Sequence, residues 1–164
     1  MRRLLVVVAG AGLALALAAP VVIGDSDQEF RASLNGYLEV PSISTTARGS
    51  FFAEVKGSTI RYRLTFRDLG SDSLFAHIHF ARPDVIGGVS AFLCGGGDKP
   101  ACPLRGGTVN GVIDAADVVG PADKGIAAGE FAELVRAMRN GATYANVHSQ
   151  VYPPGEIRGN IRRD

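Results

Sequence analysis

Alternation of apolar and polar residues is the clearest pattern along the chain. Over residues 60–67 every even position is apolar and every odd position is arginine or threonine. A period of two predicts a β-strand with one buried and one solvent-facing side. Another strand-like segment, 49–56, precedes it, and Gly57 and Ser58 between the two are typical of a two-residue type II′ turn. The two segments are therefore expected to form a β-hairpin.

Shorter versions of this pattern recur between segments that are typical of turns and loops. They predict further strands at residues 28–36, 74–81, 87–94, 106–113, 143–151 and 155–162. Many short strands with turn residues between them predict an all-β fold, either an antiparallel β-sandwich or a barrel.

One segment has the period of a helix instead. Phe131, Leu134, Val135 and Met138 recur at i, i+3, i+4 and i+7, and a glycine follows at position 141. We therefore expect one short helix within residues 129–140, with its apolar stripe packed against the sheet.

The beginning of the chain differs in composition from the rest. Two arginines precede an uncharged apolar run at residues 4–19, and small residues follow. This pattern is typical of a secretory signal peptide, so we predict a signal at residues 1–24 and one domain at residues 25–164. Cleavage would make the protein secreted, periplasmic or attached to the cell surface. The alternative is an uncleaved membrane anchor, because the run is barely long enough to span a bilayer.

Charge restricts the partners. The chain has 17 Lys and Arg against 16 Asp and Glu, and no basic stripe remains after the signal, which argues against nucleic acid. No membrane contact is expected beyond the signal segment, so the expected partner is an extracellular protein or a small ligand. Arg61, Arg63 and Arg67 are interpreted as a solvated face, with anion binding as the alternative.

Two cysteines, Cys94 and Cys102, are separated by a glycine-rich loop. In the oxidising compartment that export implies, they are predicted to form a disulfide. Their spacing is longer than that of the usual zinc-binding cysteine pair.

Three histidines provide the main candidate for a functional site. His77 and His79 lie two residues apart in one predicted strand, so they share its polar side, and His148 lies on the polar side of another. If the two strands are neighbours, three neutral imidazoles could hold zinc or copper at about 2.0–2.1 Å. Glu156 could be a fourth ligand, or an acceptor that fixes a histidine tautomer.

Two other interpretations of the histidines stay open. Asn146, Glu156 and Arg158 fall on compatible sides of the predicted final hairpin and could form a structural polar network with them. A small-ligand site is the other. No catalytic residue is predicted: Ser149 directly follows His148, so their side chains point to opposite sides of a strand. A non-enzymatic binding or structural module is thus favoured over a copper- or zinc-dependent enzyme.

Several short motifs, in this order and spacing, resemble the CHRD domain, a module named after chordin and found singly in many secreted bacterial proteins. They cover nearly all of the predicted domain and lie at residues 30–36, 39–41, 46–49, 76–79, 92–94, 144–148 and 155–159. The chain departs from the common pattern at residues 80–83, where many members have a glycine-rich turn.

The resemblance implies an all-β extracellular domain, of a family mostly without known activity. In chordin, such modules belong to a protein that sequesters growth factors. The His-x-His strand is also similar to the copper-binding strand of Cu/Zn superoxide dismutases. The expected fold is therefore an antiparallel β-sandwich, immunoglobulin-like with Greek-key connections or superoxide-dismutase-like, with one short helix. The expected function is extracellular binding or structural support, with a polar histidine site.

Overall fold

The computed structural model describes residues 28–164, which form a mostly β, antiparallel fold with one α-helix. The predicted signal segment, residues 1–24, lies outside the described residues and stays a prediction. Within residues 28–164, no helix combines the length and apolarity needed to cross a membrane.

Nine strands make one sheet, in the order β5-β4-β7-β8-β1-β2-β3-β6, with β9 paired to β1. The strands are β1 (Gln28–Asn35), β2 (Arg48–Lys56), β3 (Thr59–Arg67), β4 (Ser73–Phe80), β5 (Gly88–Cys94), β6 (Gly107–Ile113), β7 (Thr143–Ser149), β8 (Ile157–Asn160) and β9 (Arg162–Arg163).

The sheet curls until its two end strands, β5 and β6, approach each other, so that it is nearly closed into a barrel-like shape. Across this gap the hydroxyl of Tyr62 donates a hydrogen bond to the carbonyl of Leu93, at 2.7 Å. The all-β, antiparallel prediction is confirmed. The sheet order does not divide the strands into two packed layers, so the sandwich stays a prediction.

The β2–β3 hairpin forms as the alternation predicts. Lys56 pairs with Thr59 across a two-residue turn, and Gly57 has a φ of 58° whereas Ser58 does not have positive φ. Positive φ at the first turn position alone is the type II′ pattern, which confirms the prediction from the Gly-Ser order.

One apolar core fills the inside of the curled sheet. It includes Phe30, Phe51 and Leu64 from the strands, and Leu134 and Met138 from α1 (Phe131–Arg139). The helix thus buries its apolar stripe, as predicted, and removes it from water at roughly 25 cal/mol per Å² of apolar surface.

β4 and β7 lie side by side, which decides where the histidines meet. His77 pairs with Asn146 and His79 with Tyr144, so all four side chains lie on the same side of the sheet. The alternation of β4 is interrupted by a register shift between Ser73 and Phe75. For this reason Leu74, which a regular alternation with Ala76 and Ile78 would place on the apolar side of the strand, is 36% exposed.

The disulfide forms as predicted. Cys94, at the end of β5, is bonded to Cys102 with their Cα atoms 5.0 Å apart, and it closes the loop that leads towards β6. Three 3₁₀ turns, at Gly36–Leu38, Ala115–Asp117 and Ala122–Lys124, lie in the connections between the strands and the helix.

Candidate functional site

The three histidines converge, and we call His77, His79 and His148 the histidine cluster. One ligand nitrogen from each lies within 4.8 Å of the others. Nδ1 of His77 is 3.2 Å from Nε2 of His148. Two nitrogens held tetrahedrally at about 2.0–2.1 Å from one ion would be roughly 3.3 Å apart. This pair therefore has the spacing of two ligands to one ion, and the nitrogen of His79 lies no farther than 4.8 Å from either.

The polar side of β4 and β7 is buried, although the pattern predicted it only as polar. His77, His79 and His148 are 5%, 7% and 5% exposed. Two loops contribute to this burial: the β4–β5 loop (residues 81–87) and the β7–β8 loop (residues 150–156), each bonded to one histidine. Phe75 and Phe92 pack their rings against His77, with centroid separations of 4.9 and 4.5 Å.

Hydrogen bonds to the two loops fix the tautomers of two histidines. Nδ1 of His79 is 3.0 Å from the carbonyl of Gly87, and Nδ1 of His148 is 2.9 Å from the carbonyl of Pro153. A carbonyl can only accept, so both Nδ1 atoms carry the proton of the neutral ring. Nε2 of each ring is left with its lone pair, as a metal ligand requires.

Two nitrogens of the cluster have no hydrogen-bond partner in the structure. They are Nε2 of His77 and Nε2 of His79, and both are buried. The one bond inside the cluster, between His77 Nδ1 and His148 Nε2, leaves them unsatisfied. Buried polar atoms are nearly always bonded. Single atoms of Ser90, Thr143, Glu156 and Arg158 also lack a partner, but only the histidines bring two such atoms into one cluster.

Burial keeps the cluster uncharged. Removal from water lowers the pKa of His77 to about 3, with His148 and His79 adding repulsion. Removal from water also lowers the pKa of His79 to about 4 and lowers the pKa of His148. Neutral rings are the form that binds metal, so at neutral pH a metal would not have to displace protons.

A stack of three side chains links the cluster to β8. The Tyr144 ring lies parallel to that of His79, with centroids 4.7 Å apart and an interplanar angle of 4°. Arg158 is the third member of the stack, because its guanidinium carbon is 3.4 Å from the Tyr144 ring centroid. Arg158 also donates to the carbonyl of Val85 at 2.9 Å, and Gly87 donates its N–H to the Tyr144 hydroxyl at 3.1 Å. The stack therefore fastens the β4–β5 loop over the site.

Asn146 connects the site to the buried carboxyl of Glu39, which lies in one of the motifs that resemble the CHRD domain. Its Nδ2 donates to Oε1 of Glu39 at 2.6 Å and to the carbonyl of Ile157 at 2.9 Å. Removal from water raises the pKa of Glu39 to about 7, while Asn146 and the charge of Arg158 act in the opposite direction. Glu39 lies 107 residues from Asn146 along the chain, so no local pattern could have joined them.

Glu156 is also buried, but it does not belong to the histidine cluster. Its Oε1 accepts from the hydroxyl of Thr45 at 2.8 Å and from the N–H of Gly70 at 2.9 Å. The carboxylate thus holds two loops together. Of the residues predicted for a polar network, Asn146 and Arg158 lie beside the histidines, and Glu156 bonds elsewhere.

Tyr144 is the site residue that sequence reasoning missed most directly. It lies two residues before Asn146, on the same side of β7. Its alternation with Asn146 and His148 was visible, but nothing in the sequence indicated that its ring would stack on His79.

A known family model covers most of the chain. The CHRD domain model matches residues 30–161. Comparison with curated proteins and with solved structures found no match. The matched range includes the histidine cluster, the stack above it and the disulfide, and it covers most of the chain. The chain therefore belongs to the CHRD domain family.

Proposed function

We propose that this chain is a secreted CHRD domain that acts outside the cytoplasm as a binding module, and that its histidine cluster holds one zinc or copper ion. Secretion is supported by the disulfide, which is typical of oxidising compartments, and by the signal-like residues 1–24.

One observation carries the metal proposal: three neutral imidazoles converge while two of their buried nitrogens lack a partner. A metal ion is the partner that lone pairs on imidazole nitrogens suit best. The donor set, three nitrogens without sulfur, suits zinc or copper. Carbonyl acceptors on Nδ1 of His79 and of His148 are the contacts that orient metal-bound histidines in other proteins.

The role proposed for the ion is binding rather than turnover. Each histidine is at most 7% exposed, so a large substrate would have little access to an ion held there. Glu156 is not proposed as a ligand, because it does not belong to the group of residues whose ligand atoms lie within 4.8 Å of one another. Its Oε1 accepts two hydrogen bonds, and its Oε2 is buried without a partner. The chemistry that a bound ion could supply is polarisation of a ligand, or electron transfer in the case of copper.

A second candidate is a metal-free network that braces the loops over β4 and β7. The bond between His77 and His148, together with those to Gly87 and Pro153, supports it. If the network holds no metal, the two Nε2 atoms of His77 and His79 would be bonded to buried water. An enzyme using the same histidines is the third possibility, and it would require both metal and turnover.

Elemental analysis of the purified, untagged protein tests the proposal. After loading with zinc or copper and extensive dialysis, we expect about one ion per chain. We expect no bound ion in the His79→Ala variant, whereas Ser50→Ala, on the opposite outer surface, should retain it. Absence of metal from the wild-type protein, with a melting temperature that neither ion changes, would leave only the metal-free network.

A further inference from the structure

The outward side of β1, β2, β3 and β6 carries a second candidate binding surface, separate from the histidine cluster. The register places Arg31, Phe52, Arg63 and Asn110 in one row across the four strands. Arg162 of β9 extends the row beyond β1, since it pairs with Arg31. We call the five residues Arg31, Phe52, Arg63, Asn110 and Arg162 the outer arginine face.

Two adjoining hollows lie along this face. The larger, of about 850 Å³, is lined by Arg31, Arg63 and both arginines of β9. The smaller, of about 440 Å³, is lined by Arg61, Arg63 and Asn110. Phe52 and Arg63 line both hollows, so they form a ridge with a depression on either side. An extended ligand, rather than a compact one, fits two hollows joined across a ridge.

The charges of the hollows favour an anion. Four arginines and a single acidic residue, Asp164, line the larger hollow, and the smaller one is lined by two arginines and no acidic residue. Asp164 and Glu29 are both engaged by Arg31. Within residues 28–164, Arg63 donates only to the amide oxygen of Asn110, at 3.2 Å. Its guanidinium and that of Arg162 are thus available for charge-assisted bonds.

Neutral groups on the same face favour a sugar polymer. Ser33 and Ser50 line the larger hollow, and the register places Ser33, Ser50 and Thr65 in one row beside the arginine row. Hydroxyls of this kind exchange hydrogen bonds with sugar hydroxyls. Phe52 is partly exposed between the hollows, with the guanidinium of Arg31 4.8 Å from its centroid, and its ring offers an apolar surface to one face of a sugar ring.

We propose that the outer arginine face binds an extended acidic polysaccharide, whose carboxylate or sulfate groups are held by Arg63 and Arg162. The ring of Phe52 supports the sugar at the ridge, and the serines contact its hydroxyls. Nucleic acid is the less suitable polyanion because the disulfide indicates an oxidising compartment and the ridge has a single ring. An anionic membrane is less suitable because the face has no apolar segment to insert.

The test measures binding to heparin and to polygalacturonate, with dextran as the uncharged control, at low and at physiological salt. We expect binding to both acidic polymers, none to dextran, and a marked loss of affinity with salt. The double variant R63S/R162S should bind at least about tenfold more weakly. The matched double variant K124S/R136S removes the same charge from two exposed positions near the helix, and its affinity should stay within about twofold.

The Phe52→Ala variant separates the contribution of the aromatic ring to binding from that of the charges. It should weaken binding by about fivefold without changing the dependence on salt, because no charge is removed. Melting curves establish that each variant is folded. Equal losses in the two double variants, no binding to either acidic polymer, or equal binding to single-stranded DNA or phosphatidylglycerol vesicles would overturn the proposal. None of these measurements depends on the histidine cluster or on its metal.

Discussion

The β2–β3 hairpin and the β4–β7 pair are built from the same alternating pattern but have opposite surroundings. In β3 the odd positions, among them Arg61 and Arg63, are exposed and the even positions are buried. In β7 all seven residues are buried, on both sides of the strand. The comparison shows that alternation tells which side chains share a side of the sheet, whereas the loops decide whether that side meets water.

This difference changes what a polar residue can do. On the hairpin a polar side chain meets solvent and contributes little to stability. On β4 and β7 every polar group must find a partner inside the protein. Asn146 and Tyr144 have found theirs, whereas the hydroxyl of Thr143 and the two Nε2 atoms of His77 and His79, which lie together in one cluster, have not. The unsatisfied histidine atoms are therefore the feature of the β4–β7 pair that calls for a ligand.

The largest expected difference in stability is between a variant that lacks a buried arginine beside the β4–β7 pair and one that lacks an exposed arginine of the hairpin. Arg158 is 1% exposed, stacked on Tyr144 and bonded to the β4–β5 loop. We expect Arg158→Ala to lower the free energy of unfolding by about 3–5 kcal/mol, because it leaves a void and frees buried partners. Arg63→Ala should change it by less than about 0.5 kcal/mol. Denaturant unfolding measures both, and equal effects would contradict the contrast.

A buried and an outer carboxyl differ in how they respond to pH. The pKa of Glu39 is raised from 4.5 to about 7, by removal from water, so the folded protein binds this proton more tightly than the unfolded chain does. The resulting stability is present below pH 4.5 and is lost as the pH rises through 7. Above that range the ionised carboxylate costs about 3 kcal/mol.

Glu39→Gln keeps the bond with Asn146 and removes this charge. Compared with wild type, the variant should therefore gain about 3 kcal/mol between acidic and mildly alkaline pH. Glu54→Gln, on the outward side of β2, serves as the matched control. Unfolding free energies measured from pH 4 to pH 8 test the expectation, and parallel curves for wild type and Glu39→Gln would refute it.

Metal should stabilise the β4–β7 region alone. At a free zinc concentration about one hundred times the dissociation constant, binding to the folded state adds about 2.7 kcal/mol. Thermal unfolding with and without zinc should show this gain in wild type and in Arg63→Ala. The gain should vanish in His148→Ala. Stabilisation that persists in His148→Ala would mean that the ion binds somewhere else.

The smallest effect is expected on the hairpin. Arg67 pairs with Asp68 on the surface, with the two side chains 70% and 52% exposed. Exposed ion pairs contribute about 0–1 kcal/mol, so Arg67→Ala should change the free energy of unfolding by less than about 0.5 kcal/mol. A loss above about 1.5 kcal/mol would show that this side of the hairpin is not simply solvated.

Local patterns were sufficient to predict much of this fold. The period of two located β2 and β3, the period of 3.6 located α1, and the Gly-Ser order predicted the turn type. The cysteine spacing and the expected compartment predicted the disulfide. Each of these depends on residues close together in the chain, where spacing translates directly into geometry.

The remainder depends on contacts between distant residues. Pairing of β4 with β7 joins segments about seventy residues apart, as between His77 and His148. The burial of their polar side depends on the two loops, and the partners of Glu39 and Glu156 lie 107 and 111 residues away. The exposed Leu74 follows from a register shift that no composition rule indicates. Sequence reasoning therefore predicted a histidine site without predicting its enclosure.

X-ray absorption at the metal edge of the zinc-loaded protein tests the central proposal most directly, because it counts the ligand atoms around the ion. The proposal predicts one zinc per chain with three imidazole nitrogens at about 2.0–2.1 Å, and a nearest shell without sulfur. A shell of oxygen atoms alone, or no bound zinc at all, would contradict it.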